Sequence, residues 1–199
     1  MYSENLPENE RGKFQPVSIA SSELFEDLIP KSLKPLVAPY HPSSEEIENN
    51  WKALKSSIEF DVASMALGGK IISTSNEHYG PSFQVISPFS PIHMFDGFES
   101  SRSRIKGNNE EIVIQLGKKS AIHRIVIDFT YFPNNNPAEM KILGLSQNQW
   151  ITLVDKTKVK AFAANKKEFK IKCQRLYDQV KIIVFPDGGF NRVRIYTTL

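Results

Sequence analysis

The sequence predicts an all-β protein, a jelly-roll β-sandwich preceded by a short, partly helical N-terminal extension. From residue 59 onward, short segments alternate apolar and polar side chains with a period of two. Clusters of Gly, Pro, Asn and Ser separate these segments about every ten residues, without intervening helical patterns. This arrangement is typical of a sandwich and not of a parallel α/β sheet. We therefore divide the chain into an extension, residues 1–58, and a sandwich domain, residues 59–199.

The extension contains two predicted helices. Residues 1–20 are polar and aperiodic, which predicts an extended arm. Residues 21–29 start with two serines and end before a proline, as in a short capped helix. A second helix is predicted over about residues 43–57, because Ser43 and Glu46 have the spacing of a capping box. Its apolar face, which would pack on the sandwich or bind a partner, consists of Ile47, Trp51, Leu54 and Ile58.

Seven strands are predicted within the sandwich domain. They cover residues 111–116, 122–129, 139–145, 149–154, 167–173, 179–185 and 191–197. In the last strand, alternation places Val193 and Ile195 toward the core. Arg192, Arg194 and Tyr196 would then lie on the opposite side. No internal repeat is evident, so the strands are expected to form one domain.

Charge is unevenly distributed along the chain. The net charge is +3, but residues 1–50 carry −5, which leaves +8 on the remainder. A basic body of this kind attracts anions. No dense Lys/Arg block with interleaved aromatic residues occurs, so nucleic acid is not an expected partner. Cys173 is the only cysteine, and its place in a predicted strand indicates a core residue that cannot form an intrachain disulfide.

No segment has the pattern of a secretory signal or a membrane span. The first thirty residues lack a basic stretch followed by an apolar stretch, and no apolar run reaches about 18 residues. We therefore expect a cytoplasmic protein that does not interact with membranes.

Two turns, each with an acid before glycine, are followed by arginines. They lie in residues 96–104 and 185–194. Glycine allows a sharp turn, so the residues that follow it are held in place. Arginine binds carboxylates through two parallel hydrogen bonds. The two turns therefore predict a small anionic ligand, although each could also be a structural turn with charges paired at the surface.

Taken in order, several motifs resemble one repeat of the allantoicase family. The matching segments are residues 61–64, 68–72, 75–80, 94–99, 128–132 running into 136–137, and 185–189 with Arg192 and Arg194. The resemblance implies a jelly roll related to galactose-binding and discoidin-like domains. It also implies hydrolysis of allantoate to ureidoglycolate and urea in purine breakdown, with an anionic ureido acid as substrate.

The sequence departs from the family pattern at several polar positions. Asn76 stands where the family has an aspartate, and Phe98 replaces a tryptophan. The arginine run is thinned in residues 100–104, and residues 108–111 replace a His-Asp-Trp motif. Members commonly have two repeats, whereas this chain has one, which a second copy could replace. The alternative function is therefore a degenerate, non-catalytic domain that binds a carbohydrate, a small anion or a protein.

The motifs supply two sets of candidate site residues. The catalytic candidates, which would polarise water, are Glu77, His78, Asp96 and Glu99. The substrate-binding candidates are Asn76, Arg102, Arg104, Arg192 and Arg194. His93 is a second loop histidine with weaker support, and His123 is expected to be structural. No cofactor is evident and no metal ligands are assigned, but a divalent cation is possible because the four catalytic candidates offer nitrogen and oxygen ligands.

Overall fold

A computed structural model describes residues 40–55, 59–78, 81–160, 166–172 and 175–198. The first predicted helix, residues 21–29, and Cys173 lie outside these ranges. One α-helix and eleven strands are present in the described residues, together with 3-10 turns at Met65–Leu67, Ser82–Ile86 and Met94–Asp96. No helix in these ranges has the length and apolar content needed to span a membrane.

The strands form two larger antiparallel sheets and one short pair. The bounds are β1 Phe60–Asp61, β2 Lys70–Thr74, β3 Phe98–Glu99, β4 Glu110–Ala121, β5 Arg124–Asp128, β6 Glu139–Ser146, β7 Gln149–Lys158, β8 Lys166–Lys170, β9 Leu176–Phe185, β10 Gly189–Phe190 and β11 Arg192–Thr197. One sheet has the order β1-β11-β5-β8, and the other has the order β2-β4-β9-β6-β7. Within the described ranges, strands β3 and β10 pair only with each other. The predicted jelly-roll sandwich is confirmed.

The core lies between the two larger sheets. Ile112 and Ile114 of β4 and Ile182 of β9 face inward from the five-stranded sheet, and all three are fully buried. From the four-stranded sheet, Val193 and Ile195 are buried in the same apolar cluster, as alternation predicted. Burial of this continuous apolar surface is the main force that holds the two sheets together.

The helix of the extension, α1, spans Ser44–Ala53 and packs on the sandwich. Its capping box is confirmed, because Ser43 and Glu46 exchange hydrogen bonds through side chain and backbone. The helix ends earlier than residue 57 because Leu54 adopts an extended conformation. Trp51 donates from Nε1 to the carbonyl oxygen of Leu67 at 3.0 Å and contacts the Phe60 ring edge-on. Trp51 and Leu54 of the predicted apolar face therefore pack on the sandwich, whereas Ile58 lies outside the described residues.

The pairing of β3 with β10 determines which residues meet at the candidate site. Glu99 lies opposite Gly189, and Phe98 lies opposite Phe190. A Cβ atom on Gly189 would lie 2.3 Å from the carbonyl oxygen of Phe98, so only glycine permits this approach. Because the strands are antiparallel, residues before β3 lie beside residues after β10, and residues after β3 lie beside residues before β10.

Candidate functional site

The two acid-glycine turns exchange partners across the β3–β10 pair. Asp96, which precedes β3, binds Arg192, which follows β10, with 2.6 Å between Oδ2 and Nη2. Asp187, which precedes β10, accepts from the backbone N–H of Ser103, which follows β3, at 2.7 Å. Each aspartate therefore contacts the segment that follows the other turn. The polar residues fall into two groups, named here after Arg192 and Glu99.

The Arg192 cluster consists of Asp61, Asp96, Asn191, Arg192 and Arg194. All three guanidinium nitrogens of Arg192 donate to protein acceptors: Nε to the carbonyl of Phe89, Nη1 to Asp96 and Asn191, and Nη2 to the Asp96 carboxylate. The side chains of Arg192 and Asp96 are only 3% and 4% exposed. Burial raises the pKa of Asp96, and the Arg192 guanidinium opposes this effect.

The second half of the Arg192 cluster is the pair of Asp61 and Arg194. Asp61 Oδ1 accepts from the backbone N–H groups of Ala63 and Ile195, which joins β1 to β11. Its Oδ2 has no hydrogen bond among the described residues, but it lies 3.5 Å from Arg194 Nη1, so the contact is an ion pair without hydrogen-bond geometry. Burial raises the pKa of Asp61 to about 6 despite the nearby arginine. Arg194 also donates to the carbonyl of Phe89.

The polar groups of Asp96, Arg192 and Arg194 therefore form hydrogen bonds within the protein. Each of the three guanidinium nitrogens of Arg192 donates to a protein oxygen, and both Arg192 and Arg194 donate to the Phe89 carbonyl. A buried pair of this kind stabilises a defined arrangement of the chain only while both partners are present. A direct role of these three residues in catalysis or substrate binding stays a prediction.

The Glu99 cluster consists of Asn76, Glu99, Ser101, Arg102, Glu110, Asn135 and Asp187. Glu99 is 7% exposed, and its Oε1 accepts from Asn135 Nδ2 at 2.7 Å. Its Oε2 is buried and has no hydrogen-bond partner among the described residues. Burial is the main reason that the pKa of Glu99 is raised to about 7, while Asn135 and the charge of Arg102 lower it and the charge of Asp187 raises it. This carboxyl can gain or lose a proton near neutral pH.

Asn76 belongs to a hydrogen-bonded group that includes Glu110 and Ser101. Its Nδ2 donates to Ser101 Oγ at 2.7 Å and to Glu110 Oε1 at 3.4 Å, and its Oδ1 accepts from the Ser101 N–H. Ser75 and Asn108 also donate to the Glu110 carboxylate. An aspartate at position 76 would place a second carboxylate against Glu110. An amide fits at position 76 because it can donate to Ser101 and Glu110 and also accept from the Ser101 N–H.

Glu77 and His78 are neighbours in the sequence but contact different segments. The Glu77 carboxylate accepts from the backbone N–H of Ser82 and so caps the 3-10 turn Ser82–Ile86. The His78 backbone N–H donates to the Glu99 carbonyl at 3.1 Å, which places this histidine next to Glu99 in the fold. Burial lowers the pKa of His78. The predicted catalytic roles of both residues stay predictions.

Arg102 and Arg104 are exposed, in contrast to Arg192. The charge of Arg102 acts on Glu99, and the loop that carries both arginines is anchored by the contact between Ser103 and Asp187. The Asn108 side chain adds a second anchor through the carbonyl of Pro186, which follows a cis peptide bond. The structure thus brings together Asn76, Glu99 and Arg102, with His78 alongside.

No group of three or more His, Cys, Asp or Glu side chains in the described ranges could hold a metal ion. Glu77, His78, Asp96 and Glu99 lie within those ranges and do not form such a group. His93 is exposed, and its ring stacks on Phe95 and Tyr131.

Four members of the Glu99 cluster were not among the predicted site residues. Ser101 lies two residues after Glu99, and the other three come from other segments of the chain. Asn135 comes from the loop between β5 and β6, where the only sequence signal is a run of three asparagines between two prolines. Glu110 begins β4, and Asp187 was interpreted as part of a tight turn. Their common feature is that tertiary pairing, rather than a local pattern, places them near Glu99.

The fold is that of a galactose-binding-like jelly-roll sandwich. A family 32 carbohydrate-binding module from C. perfringens, whose structure was solved in complex with galactose, has a TM-score of 0.57 with this chain. The match covers 70% of this chain and 99% of that module at 14% identity, which shows a common fold.

Within that class, the chain belongs to the allantoicase family. The allantoicase repeat of this family matches residues 60–199. The crystal structure of allantoicase from Saccharomyces cerevisiae is 30% identical with a TM-score of 0.65, covering 70% of this chain and 43% of that one. A probable allantoicase from Pseudomonas syringae pv. tomato is 28% identical over 158 residues, or 73% of this chain and 47% of that protein. The chain thus spans about half the length of these relatives.

Proposed function

We propose that the protein hydrolyses allantoate to ureidoglycolate and urea, with the Glu99 cluster as its active site. The relatives named allantoicase support this proposal, but this chain spans only about half of their length. The observation that carries it is the Glu99 carboxyl, which is buried, has one oxygen without a hydrogen-bond partner in the described residues and has its pKa raised to about 7. A general acid or base works best when its pKa lies near the working pH.

In the proposed reaction, Glu99 transfers one proton from water to the leaving group. The Glu99 carboxylate takes a proton from the attacking water, whose oxygen bonds to the central carbon of allantoate. The bond between this carbon and one ureido nitrogen breaks, and Glu99 gives the proton to that nitrogen, which leaves as urea. Glu99 returns to its carboxylate form, so atoms and charge balance. His78, which is adjacent to Glu99, is a second candidate for handling this proton.

Arg102 is the proposed binding group for the carboxylate of the substrate. It is exposed and its charge already acts on Glu99, so an anion beside it would lie near the reacting carboxyl. Arg104 is a second exposed arginine of the same loop. Asn76 contributes by holding Ser101, which precedes Arg102. Arg192 is buried and Arg194 is 17% exposed, and both donate to protein oxygens, which favours a supporting role for them in the wall of the site.

We further propose a cytoplasmic homo-oligomer in which a second copy replaces the second repeat of longer relatives. The chain matches 47% of one relative and 43% of another. A divalent cation is included in the assay, although no residue is assigned as its ligand. Sedimentation of the purified protein measures the oligomeric state, and a monomeric mass would contradict it.

The test is urea release from allantoate by the purified protein, with and without divalent cations. Glu99→Gln should lower the rate at least about 100-fold, as expected for loss of a general acid or base. Arg102→Ala should raise KM roughly tenfold, because a charge-assisted contact with the substrate is lost. Arg175→Ala is a matched control, since Arg175 is also exposed but lies just before β9, roughly 30 Å along that strand from Val184, the residue that pairs with Glu110.

A non-catalytic binding domain is the second candidate. It is favoured by the fact that Glu77, Asp96 and Arg192 all serve hydrogen bonds within the protein. In that case allantoate would not be turned over, and a thermal-shift series of sugars and ureido acids would reveal a ligand. Absence of urea release with and without cations, together with no rise in melting temperature with allantoate, would reject the enzymatic proposal.

A further inference from the structure

The two oxygens of the Glu99 carboxyl have different surroundings. Oε1 accepts a hydrogen bond from the side-chain amide of Asn135 at 2.7 Å. Oε2 is buried and has no hydrogen-bond partner in the part of the chain that the structure describes. The two oxygens are therefore not equivalent when the carboxyl binds a proton.

An amide nitrogen is a donor, so the oxygen that faces it must act as an acceptor. A protonated carboxyl has one oxygen with a hydrogen, which donates, and one carbonyl oxygen, which accepts. With Asn135 Nδ2 at Oε1, the carbonyl form of Oε1 retains its hydrogen bond and the proton lies on Oε2. A proton on Oε1 would leave a hydroxyl oxygen facing the amide, which is a weaker acceptor than a carbonyl oxygen, so this contact would be weakened.

Asn135 is itself held in place by the turn before β10. The backbone carbonyl of Asn135 accepts from the Gly189 N–H at 2.8 Å. Gly188 has a φ of +122°, and a Cβ atom at this position would lie 2.8 Å from the Asn135 carbonyl oxygen. A turn that tolerates only glycine at such close contact keeps Asn135 in register with Glu99, which pairs with Gly189.

We propose that Asn135 is a positioning residue that fixes the transferable proton of Glu99 on Oε2, the oxygen without a hydrogen-bond partner in the described residues. Its catalytic consequence rests on the proposed function, whereas its effect on the ionisation of Glu99 does not. Asn135 makes no proton transfer of its own. It determines which oxygen of Glu99 does so.

The charged groups around Glu99 do not replace this effect. Arg102 lowers the pKa of Glu99 and Asp187 raises it, so these two charges act in opposite directions. The neutral amide of Asn135 stabilises the carboxylate through a direct hydrogen bond and has a larger effect than either charge. Removal of the amide should therefore raise the pKa of Glu99.

The experiment compares Asn135→Leu and Asn135→Asp with the wild type by carboxyl ¹³C NMR titration, with Glu99 assigned from the Glu99→Gln spectrum. Asn135→Leu removes the donor at similar size and should shift the Glu99 titration upward by about one pH unit. Asn135→Asp places a carboxylate at the same site and should shift it at least as far. Asn136→Leu is the matched control, since Asn136 donates to the carbonyl of Pro137 in the same loop and should leave the titration unchanged.

Urea release over a range of pH provides the second measurement. The acidic limb of the profile should move upward with the titration in Asn135→Leu, which gives about tenfold slower release one unit below the Glu99 pKa, with the plateau at high pH retained. An unchanged titration in both Asn135 variants would overturn the proposal. A shifted titration with no urea release by the wild type would support the role of Asn135 and reject the proposed reaction instead.

Discussion

The Arg192 cluster and the Glu99 cluster have similar residues but opposite character. Each contains an acid from an acid-glycine turn, a second carboxyl and at least one arginine. In the Arg192 cluster, the three nitrogens of Arg192 bind protein oxygens, and the Asp96 pair is almost fully buried. In the Glu99 cluster, Arg102 is exposed and Glu99 Oε2 has no hydrogen-bond partner in the described residues. Residue type alone therefore does not distinguish a structural ion pair from a candidate active site.

The difference arises from the strand pair that separates the clusters. The antiparallel pairing of β3 and β10 brings Asp96 to Arg192 on one side and Asp187 to the Ser103 backbone on the other. Asp96 forms an ion pair with Arg192, and the two charges neutralise each other. Asp187 instead accepts a hydrogen bond from the backbone N–H of Ser103 and does not pair with Arg102. The negative charge of Asp187 therefore acts on Glu99. A carboxyl in this environment has a raised pKa.

The largest expected effect is the loss of stability when the Arg192 cluster loses its acid. Asp96→Ala leaves the buried Arg192 charge without its carboxylate and should lower the free energy of unfolding by about 3–5 kcal/mol. Chemical denaturation in guanidinium chloride measures this value. Glu48→Ala is the control, because its partner Lys52 and Glu48 are 67% and 68% exposed, and it should cost less than about 0.5 kcal/mol. A loss of similar size in both variants would show that the Arg192 cluster is not closed to water.

The second effect has the opposite sign and concerns the Glu99 cluster. The pKa of Glu99 rises from its ordinary value of 4.5 to about 7 on folding, so the folded state binds more protons than the unfolded state between these values. Stability from this group is therefore highest at low pH and falls as the pH rises toward 7. Because each pH unit corresponds to about 1.4 kcal/mol, the change is on the order of 3 kcal/mol.

Glu99→Gln isolates this contribution. Glutamine retains an acceptor for Asn135 but cannot ionise, so the variant should be more stable than the wild type at pH 8 and gain little at pH 5. The comparison is needed because Asp61, with its pKa raised to about 6, changes wild-type stability in the same direction. Glu139→Gln, at a partly exposed carboxyl paired with Lys156, should follow the wild type. Equal differences between Glu99→Gln and the wild type at both pH values would contradict the raised pKa.

Alternation in the sequence was enough to predict the sandwich and its seven longer strands. The strands that were missed are β1, β2, β3 and β10. Three of them have only two residues, too few for a period of two to be recognised. β2 has two adjacent isoleucines and a register shift against β4, which obscures its alternation. The capping box located α1 correctly because both of its hydrogen bonds are local.

The candidate site could be predicted only in part, because its partners depend on β3 and β10. The motifs pointed to Glu99, Arg102 and Asn76, which the structure brings into one region. They did not reveal that Asp96 pairs with Arg192, since these residues are distant in sequence and meet only through a two-residue strand pair. The position of Asn135 depends on its close packing against the turn at Gly188. The residues next to Asn135 in the sequence do not indicate this contact.

The smallest expected effect tests whether the Glu99 cluster tolerates another acid. Asn76→Asp would place a carboxylate 3.4 Å from Glu110 Oε1, where an amide donor now lies, and would remove the donor to Ser101. Repulsion between the two carboxylates should lower the free energy of unfolding by about 1 kcal/mol at neutral pH. The loss should diminish as the pH is lowered, because protonation of one carboxyl relieves the repulsion. Asn109→Asp, at an exposed neighbour, is the control, and denaturation at pH 7 and pH 4 compares the variants. If Asn76→Asp were as stable as the wild type at neutral pH, the two carboxyl groups would have to move apart, and the Glu99 cluster would be more adaptable than the closed Arg192 cluster.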